Sequence, residues 1–278
     1  MEVQRDSSDE DFKKFYDEQY STKWKSRTDK ILQLPYRLEV VAIMKHLNLS
    51  KQTTGNLLDV GCGAGNSMRI ISSKTKIKCY GFDISEEIIK RARELETPNC
   101  FYESSDGKVF PFQNISFDYV IIKHVLEHVQ DPISFLSKIS NMIKKGGKLF
   151  IASPNNKNLL SPVMREMRDK TDIYHGHIQD GFSRSEIKKM LGKEDFSIRK
   201  FKYEGHIFKL FIGRKIKSII LIPYKIYKLL SGKRGPTSQF KSYVLTKNRL
   251  NNFLSKLDHK FFSNSEGWED FYLVAVKK

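Results

Sequence analysis

Long apolar runs are the first thing this sequence lacks. It contains no stretch of about 18 consecutive apolar residues, so no membrane-spanning helix is expected. The N-terminal "MEVQRDSSDEDF" is polar and acidic where a secretory leader would be basic and then apolar, so no leader is expected either. Cysteine is scarce. Cys62, Cys79 and Cys100 lie far apart and lack the paired spacing of a zinc site. An odd, sparse set argues for a reducing compartment and against a disulfide framework, so the protein is expected to be cytoplasmic. Repeats and low-complexity tracts are missing too. Acidic residues are nearly missing from one region: residues 199–260 hold sixteen Lys and Arg against Glu204 and Asp258, which places +14 of the net charge of +17 there. A local excess of this kind points to an anionic partner more than an even excess would.

What is present is enough for a core. The 278 residues are 39% apolar, which suits one large domain or one domain carrying an insertion. Residues 9–49 read as two helices, "DEDFKKFYDEQY" and "YRLEVVAIMKHL", the second with Leu38, Val41, Ala42 and Lys45 on one face. From Asn56 strands and helices alternate. "NLLDV", "KCYGFDI", "NCFYES", "FDYVII" and "KLFIAS" read as strands. The helices between them are "SMRIISSK", "SEEIIKRARELE" with Ser85 as N-cap, and "ISFLSKISNMIKK" started by Asp131-Pro132 and ended by Gly146-Gly147. "SRSEIKKMLGKEDF" follows as a helix capped by Ser183 or Ser185, then "SIRKFKY" and the C-terminal "DFYLVAV" as strands. This alternation predicts a parallel α/β sheet covered on both faces. The expected division is a helical cap over 1–50, a core over 51–204, a basic insertion over 205–266, and a last core strand within 267–278.

"LLDVGCGAGN" joins the first strand to the first core helix. Gly61, Gly63 and Gly65 allow a sharp turn and close approach of backbone to a ligand. The spacing is G-x-G-x-G, with Asn66 where a dinucleotide fingerprint has its third glycine, and no G-K-[ST] follows. This compact loop suits a nucleoside without a pyrophosphate. Asp83 ends the second strand, where a carboxylate can accept both ribose hydroxyls.

"LLDVGCGAGN", "GFDIS", "SSDGKVFPFQNISFDYVIIKHVLEHVQDP" and "KKGGKLFIASPN" together resemble the class I S-adenosylmethionine-dependent methyltransferases. The likeness is to type 11 and type 23 members and to quinone-pathway O-methyltransferases, and it covers about residues 55–200. It implies a Rossmann-like, seven-stranded, mostly parallel sheet, with S-adenosyl-L-methionine as methyl donor. By the resemblance Asp59 and the loop glycines hold the methionine end of the cofactor. Asp83 takes the ribose, Ile84 flanks the adenine, Asp106 meets the adenine amino group, and His124 lies by the methyl sulfur.

"HVLEH", residues 124–128, fits H-x-x-E-H, which within a continuous helix can hold a peptidase zinc. Here it directly follows a strand, at the edge where open α/β sheets bind ligands, which argues against a peptidase. Once a helix starts, His124, Glu127 and His128 would share a face at i, i+3 and i+4. Three readings stay open. The side chains line an acceptor pocket, with a neutral His taking a proton from a hydroxyl. Or they hold a divalent metal, as the E-x-x-E-H of quinone-pathway and small-RNA 2′-O-methyltransferases does, with His177 (His175 ranks below it) completing the set. Or they only hydrogen-bond within the fold. A His₃Glu set would favour zinc, manganese or iron over magnesium.

The insertion includes "GHIFKLFIGRKIKSIILIPYKIYKLLSGKR", 205–234. As a helix it sets Ile212, Ile216, Ile219, Ile226 and Leu230 opposite Arg214, Lys217, Lys225 and Lys228, with a kink at Pro223. This is the pattern of a helix lying in an anionic membrane surface, here the inner face of the membrane. The expected acceptor is a hydroxyl on a small molecule, lipid-linked or glycan-linked. An RNA acceptor ranks below it, because nucleic acid leaves Ile219, Ile220, Leu221 and Ile222 unexplained. A non-catalytic cofactor-binding module is opposed by the intact loop and both acids.

Overall fold

The computed structural model describes Asp17 and residues 34–95, 97–157, 178–204 and 270–278. In chain order these hold α1 (Leu34–Leu47), β1 (Asn56–Val60), α2 (Asn66–Lys74), β2 (Lys78–Asp83), α3 (Glu86–Glu94), β3 (Cys100–Ser104), β4 (Phe117–Lys123), a 3₁₀ turn (Leu126–His128), α4 (Pro132–Asn141), β5 (Ile143–Pro154), α5 (Arg184–Lys193), β6 (Phe196–Glu204) and β7 (Asp270–Lys277). The seven strands form one sheet in the order β3-β2-β1-β4-β5-β7-β6. β1 to β5 run parallel, and β7 enters antiparallel between β5 and β6. The Rossmann-like, mostly parallel sheet expected from the sequence is therefore the fold.

Both faces are covered because the central strands are apolar at nearly every position. Leu57, Ile121 and Phe150 face a layer built from α1, α2 and α3. Their neighbours Leu58, Val120, Ile122, Leu149 and Ile151 face α4 and α5. A strand buried on both faces has no polar side, so its sequence shows a run rather than an alternation. The strand order reverses between β1 and β4, and a ligand crevice opens beyond the carboxyl ends at such a switch.

Three local expectations need correction. α1 buries Val40, Ile43, Met44 and Leu47, while Val41 is 44% exposed. The buried face lies two residues on from the expected one, nearly the opposite side of the helix, and Lys148 donates to the Leu47 carbonyl at its C-terminus (2.7 Å). α4 stops at Asn141 rather than running to the glycines, because Ile143 pairs with Phe117 and begins β5. Residues 144–147 bulge out before Lys148 pairs with Tyr119, with Gly146 at φ 78°. "HVLEH" is not a helix: His124 sits at φ 51° and only Leu126–His128 form a single 3₁₀ turn. Of the expected cap and insertion, the first helix apart from Asp17, and all of 205–266, lie outside the described residues.

α5 is started by a reciprocal cap, with Ser183 rather than Ser185 as N-cap. Ser183 Oγ accepts from Glu186 N–H (3.3 Å), and Glu186 Oε2 accepts from Ser183 N–H (2.7 Å). Two helix-end donors are thereby satisfied in a segment that packs on the end of β5. Ser183→Ala is expected to cost about 1 kcal/mol. Thermal melting should show it as a fall of roughly 2–4 °C, as for a domain of this size.

Candidate active site

The glycine loop is held by the strand beside it. Gly61 and Cys62 both donate backbone N–H to the Phe82 carbonyl (2.8 and 3.0 Å), which bends the chain out of β1. Gly63 N–H donates to Asp83 Oδ2 (2.9 Å), while Asp83 Oδ1 accepts from Ser85 N–H (3.1 Å). One carboxylate thus ties the loop to the start of α3. Burial raises the Asp83 pKa, and backbone donors at Ser85, Gly63 and Ile84 oppose that rise. Gly61, Gly63 and Gly65 all have φ between 53° and 74°, which L side chains seldom adopt. A Cβ on Gly63 would meet nothing within 4 Å, so this peptide faces open space.

A cavity of about 380 Å³ opens beside the loop, lined among others by Gly61, Asp83, Ile84, Asp106, His124 and His128. Phe82 and Phe135 line it, and the Phe110 ring joins them, with successive ring centroids 5.3 and 5.0 Å apart. The Asp106 turn is internally braced: Asp106 Oδ1 accepts from Lys108 N–H (2.9 Å), and Ser105 Oγ donates to the Val109 carbonyl (2.7 Å). Across the mouth, Lys138 Nζ of α4 donates to the Lys108 carbonyl (3.2 Å).

Where β4 ends, His124 turns its ring over a buried glutamate. His124 Nδ1 lies 3.2 Å from Glu127 Oε1, and Ser153 Oγ of β5 donates to Glu127 Oε2 (3.0 Å). Glu127 is fully buried. Burial alone would raise its pKa, but the His124 hydrogen bond and the charges of His124 and His128 outweigh it, so the group is held below its usual range. For His124, burial disfavours the charge, and the bond to Glu127 with the charges of Asp270 and Glu127 overcomes that and raises its pKa. An ionised Glu127 can only accept, so Nδ1 carries the proton and Nε2 is the basic nitrogen.

The description "methyltransferase domain" fits residues 16–200, well over half of the chain. The chain belongs to this methyltransferase family. Relatives include ajmaline N-methyltransferase of Rauvolfia serpentina, 29% identical over 122 residues, 42% of each chain. 2-Methyl-6-phytyl-1,4-hydroquinone methyltransferase of Synechocystis is 32% identical over 124 residues, 41% of this chain and 39% of that one. The chain spans less than half the length of these two relatives. Among solved structures, phosphoethanolamine N-methyltransferase 2 of Haemonchus contortus, bound to phosphomonomethylethanolamine and S-adenosylhomocysteine, aligns at a TM-score of 0.61 and 18% identity. The alignment covers 96% of this chain and 60% of that one, a likeness of fold.

S-adenosylmethionine is the methyl donor of this methyltransferase family. The residues here fit it: an open peptide at Gly63, a buried carboxylate ending β2, and a cavity within the usual volume range for a small cofactor. Of the residues expected at the site, Gly61, Asp83, Ile84, Asp106, His124 and His128 line the cavity. Asp59, Gly63, Gly65 and Glu127 are not among its lining residues, although the Gly63 peptide is open on its Cα side. The metal alternative needs His177, which lies outside the described residues, as does His175. Among the described residues no three His, Cys, Asp or Glu side chains gather as metal ligands.

Three participants went unseen in the sequence. Ser153 reaches Glu127, and Asp270, which pairs with Pro154, acts on His124 across the β5–β7 ladder. Lys123 pairs with Glu39 of α1 at 2.6 Å and acts on Asp59. All three depend on register between distant segments, for which a single sequence offers no signal.

Burial lifts the Asp59 pKa to about 7; Lys123 lowers it and the Asp83 charge raises it further. A raised carboxylate contributes stability below its ordinary pKa and loses it as pH rises through the folded value. In the free methyltransferase that loss falls between about pH 4 and 7. A cofactor bearing an ammonium group favours the ionised form. S-adenosylhomocysteine should therefore bind more tightly as pH rises toward 7, by up to about tenfold per unit below it. Calorimetry over that range should show this slope, and Asp59→Asn should flatten it.

Proposed function

We propose that this chain transfers a methyl group from S-adenosylmethionine to a hydroxyl on a small, lipid-linked acceptor. The His124–Glu127 pair at the cavity wall carries the reading. When bound, S-adenosylmethionine supplies a methyl group already activated on a sulfonium. What the protein must add is alignment and a place for the acceptor's proton. Asp83, the glycine loop and the Asp106 turn hold the cofactor. Glu127 fixes the His124 ring and its tautomer, and Nε2 takes the proton from the attacking hydroxyl. A histidine with a raised pKa is a better base for a hydroxyl whose proton is lost only well above neutral pH.

The Synechocystis relative acts on a phytyl hydroquinone, as its name states, which supports a ring on an apolar tail, and the relatives named as tocopherol and ubiquinone-biosynthesis O-methyltransferases support a hydroxyl. The N-methyltransferases among the relatives make an amine acceptor the outcome to test against. No helix among the described residues is long and apolar enough to cross a membrane. The basic, apolar 205–234 segment is accordingly read as a surface anchor that brings the pocket to such an acceptor.

Two measurements test this reading. Transfer of labelled methyl to a lipid extract is expected to rise with pH through a limb above the ordinary histidine pKa of about 6.5. Glu127→Gln should move that limb to lower pH and reduce kcat, since the bond that raises His124 is weakened. His124→Ala should lose about 10²- to 10⁴-fold, the usual contribution of a general base. A pH profile unmoved by Glu127→Gln would remove His124 as the base, and loss of transfer on chelation would favour the metal reading. Independently, the protein should co-sediment with vesicles containing phosphatidylserine and not with neutral ones. The binding should weaken as salt is raised. Equal failure with both vesicles would reject the anchor.

A further inference from the structure

The three cysteines are far apart in sequence but are gathered on one face of the sheet, under α2. Cys79 and Cys100 are direct partners across the parallel β2–β3 pair. Neighbouring strands lie about 4.8 Å apart, inside the roughly 4.4–6.8 Å between Cα atoms that a disulfide spans. Cys79 is fully buried and Cys100 is half-buried at the start of the edge strand. The two thiols act on each other across this pair, which holds Cys100 below the ordinary thiol range and Cys79 above it. Burial opposes the effect at Cys100, while Tyr102, Ser72 and the Arg69 charge add to it. Cys100 is thus the readier nucleophile and Cys79 its neighbour with a proton to give.

Two residues along β3, on the same face, stands Tyr102. It is 6% exposed, and the group its side chain acts on is the Cys100 thiol. The ring bears on the cofactor loop: a Cβ built on Gly65 would lie 2.4 Å from Tyr102 Cε1 and 2.5 Å from its oxygen. The ring thus lies between the glycine loop and the thiol pair.

We propose that Cys79 and Cys100 are a redox-active dithiol, oxidised by a hydroperoxide to an interstrand disulfide, and that Tyr102 relays this change to the glycine loop and weakens cofactor binding. The Cys100 thiolate attacks the peroxide oxygen; the O–O bond breaks, and the leaving oxygen takes a proton and departs as water or alcohol. Cys100 is then a sulfenic acid. The Cys79 sulfur attacks it, the S–O bond breaks, and water leaves with the Cys79 proton. Two thiols are oxidised by two electrons and the peroxide is reduced by two. Cys62, within the loop, takes no part: burial, together with the Asp83 and Asp59 charges, pushes its thiol well up. The second half of the proposal rests on the cofactor reading; the first half does not.

The reduced chain is treated with hydrogen peroxide, then alkylated and mapped by mass spectrometry. Two of the three thiols should be lost, with the Cys79 and Cys100 peptides joined and Cys62 still free. Cys79→Ser should stop at a Cys100 sulfenic acid that dimedone traps, and Cys100→Ala, checked for folding by circular dichroism, should form neither. Calorimetry should show the oxidised protein binding S-adenosylhomocysteine at least about fivefold more weakly, the lower end of usual coupling, with affinity restored by dithiothreitol. A bridge to Cys62, or three free thiols after peroxide, overturns the dithiol. A Cys79–Cys100 bridge with unchanged affinity overturns the relay. If the reduced protein binds no S-adenosylhomocysteine, the cofactor reading fails, and the thiol map still decides the first half.

Discussion

A fully buried carboxylate is the constraint around which the site is built. An ionised glutamate removed from water costs several kcal/mol unless its oxygens are matched. Glu127 is matched from both sides: His124 Nδ1 on one oxygen and Ser153 Oγ on the other. Its backbone carbonyl also accepts from Ile178 and Gln179 N–H, each at 2.9 Å. The turn after β4, the end of β5 and the chain entering α5 therefore meet at one residue. His124 adopts a left-handed backbone, which costs energy in any residue with a Cβ, and the bond to Glu127 helps hold it there. Binding chemistry and local fold are one set of interactions.

Asp83 plays the matching part on the other side of the switch point. Its two oxygens fix Gly63 and Ser85, so the loop that faces the cavity cannot drift from the strand that ends beneath it. Asp17, the one described residue of the first 33, accepts from Ser85 Oγ and reaches the same corner. The cavity lies between these two acids. A cationic cofactor suits a site whose buried groups, Asp59, Asp83 and Glu127, are all acids, with Lys123 partly offsetting them. The protein's surplus positive charge lies elsewhere in the chain, over 199–260.

How much could be read in advance follows the range of each interaction. Ser85, Asp131 and Ser183 were legible as caps because a cap binds within three residues of itself. The glycine loop and the seven strands were legible for the same reason: turn chemistry and apolar runs are local. The buried face of α1 was misread because Val40, Ile43, Met44 and Leu47 compete with Leu38 and Val41, and only packing on the sheet chooses between two weak stripes. The end of α4 was misread because the glycines looked like a helix stop, whereas the Phe117–Ile143 pairing ends it earlier. Ser153 and Asp270 could not be found at all. Asp270 owes its role to the register of β5 and β7, more than a hundred residues apart, and Ser153 to the end of β5 meeting the turn after β4.

The H-x-x-E-H segment shows why a motif needs its backbone before it has a meaning. In a continuous helix, His124 and His128 would sit a turn apart on one face and could share an ion. Here the strand runs to Lys123, the chain turns left-handed at His124, and only three residues wind before it extends again at Val129. The carboxylate between the histidines then turns inward to the end of β5, where Ser153 donates to it. Of the two imidazoles, one is clamped by the glutamate and both line the cavity. The same residue types at the same spacing thus give a histidine fixed against a buried glutamate at the cavity wall. A single glutamate buried beneath the turn makes the difference.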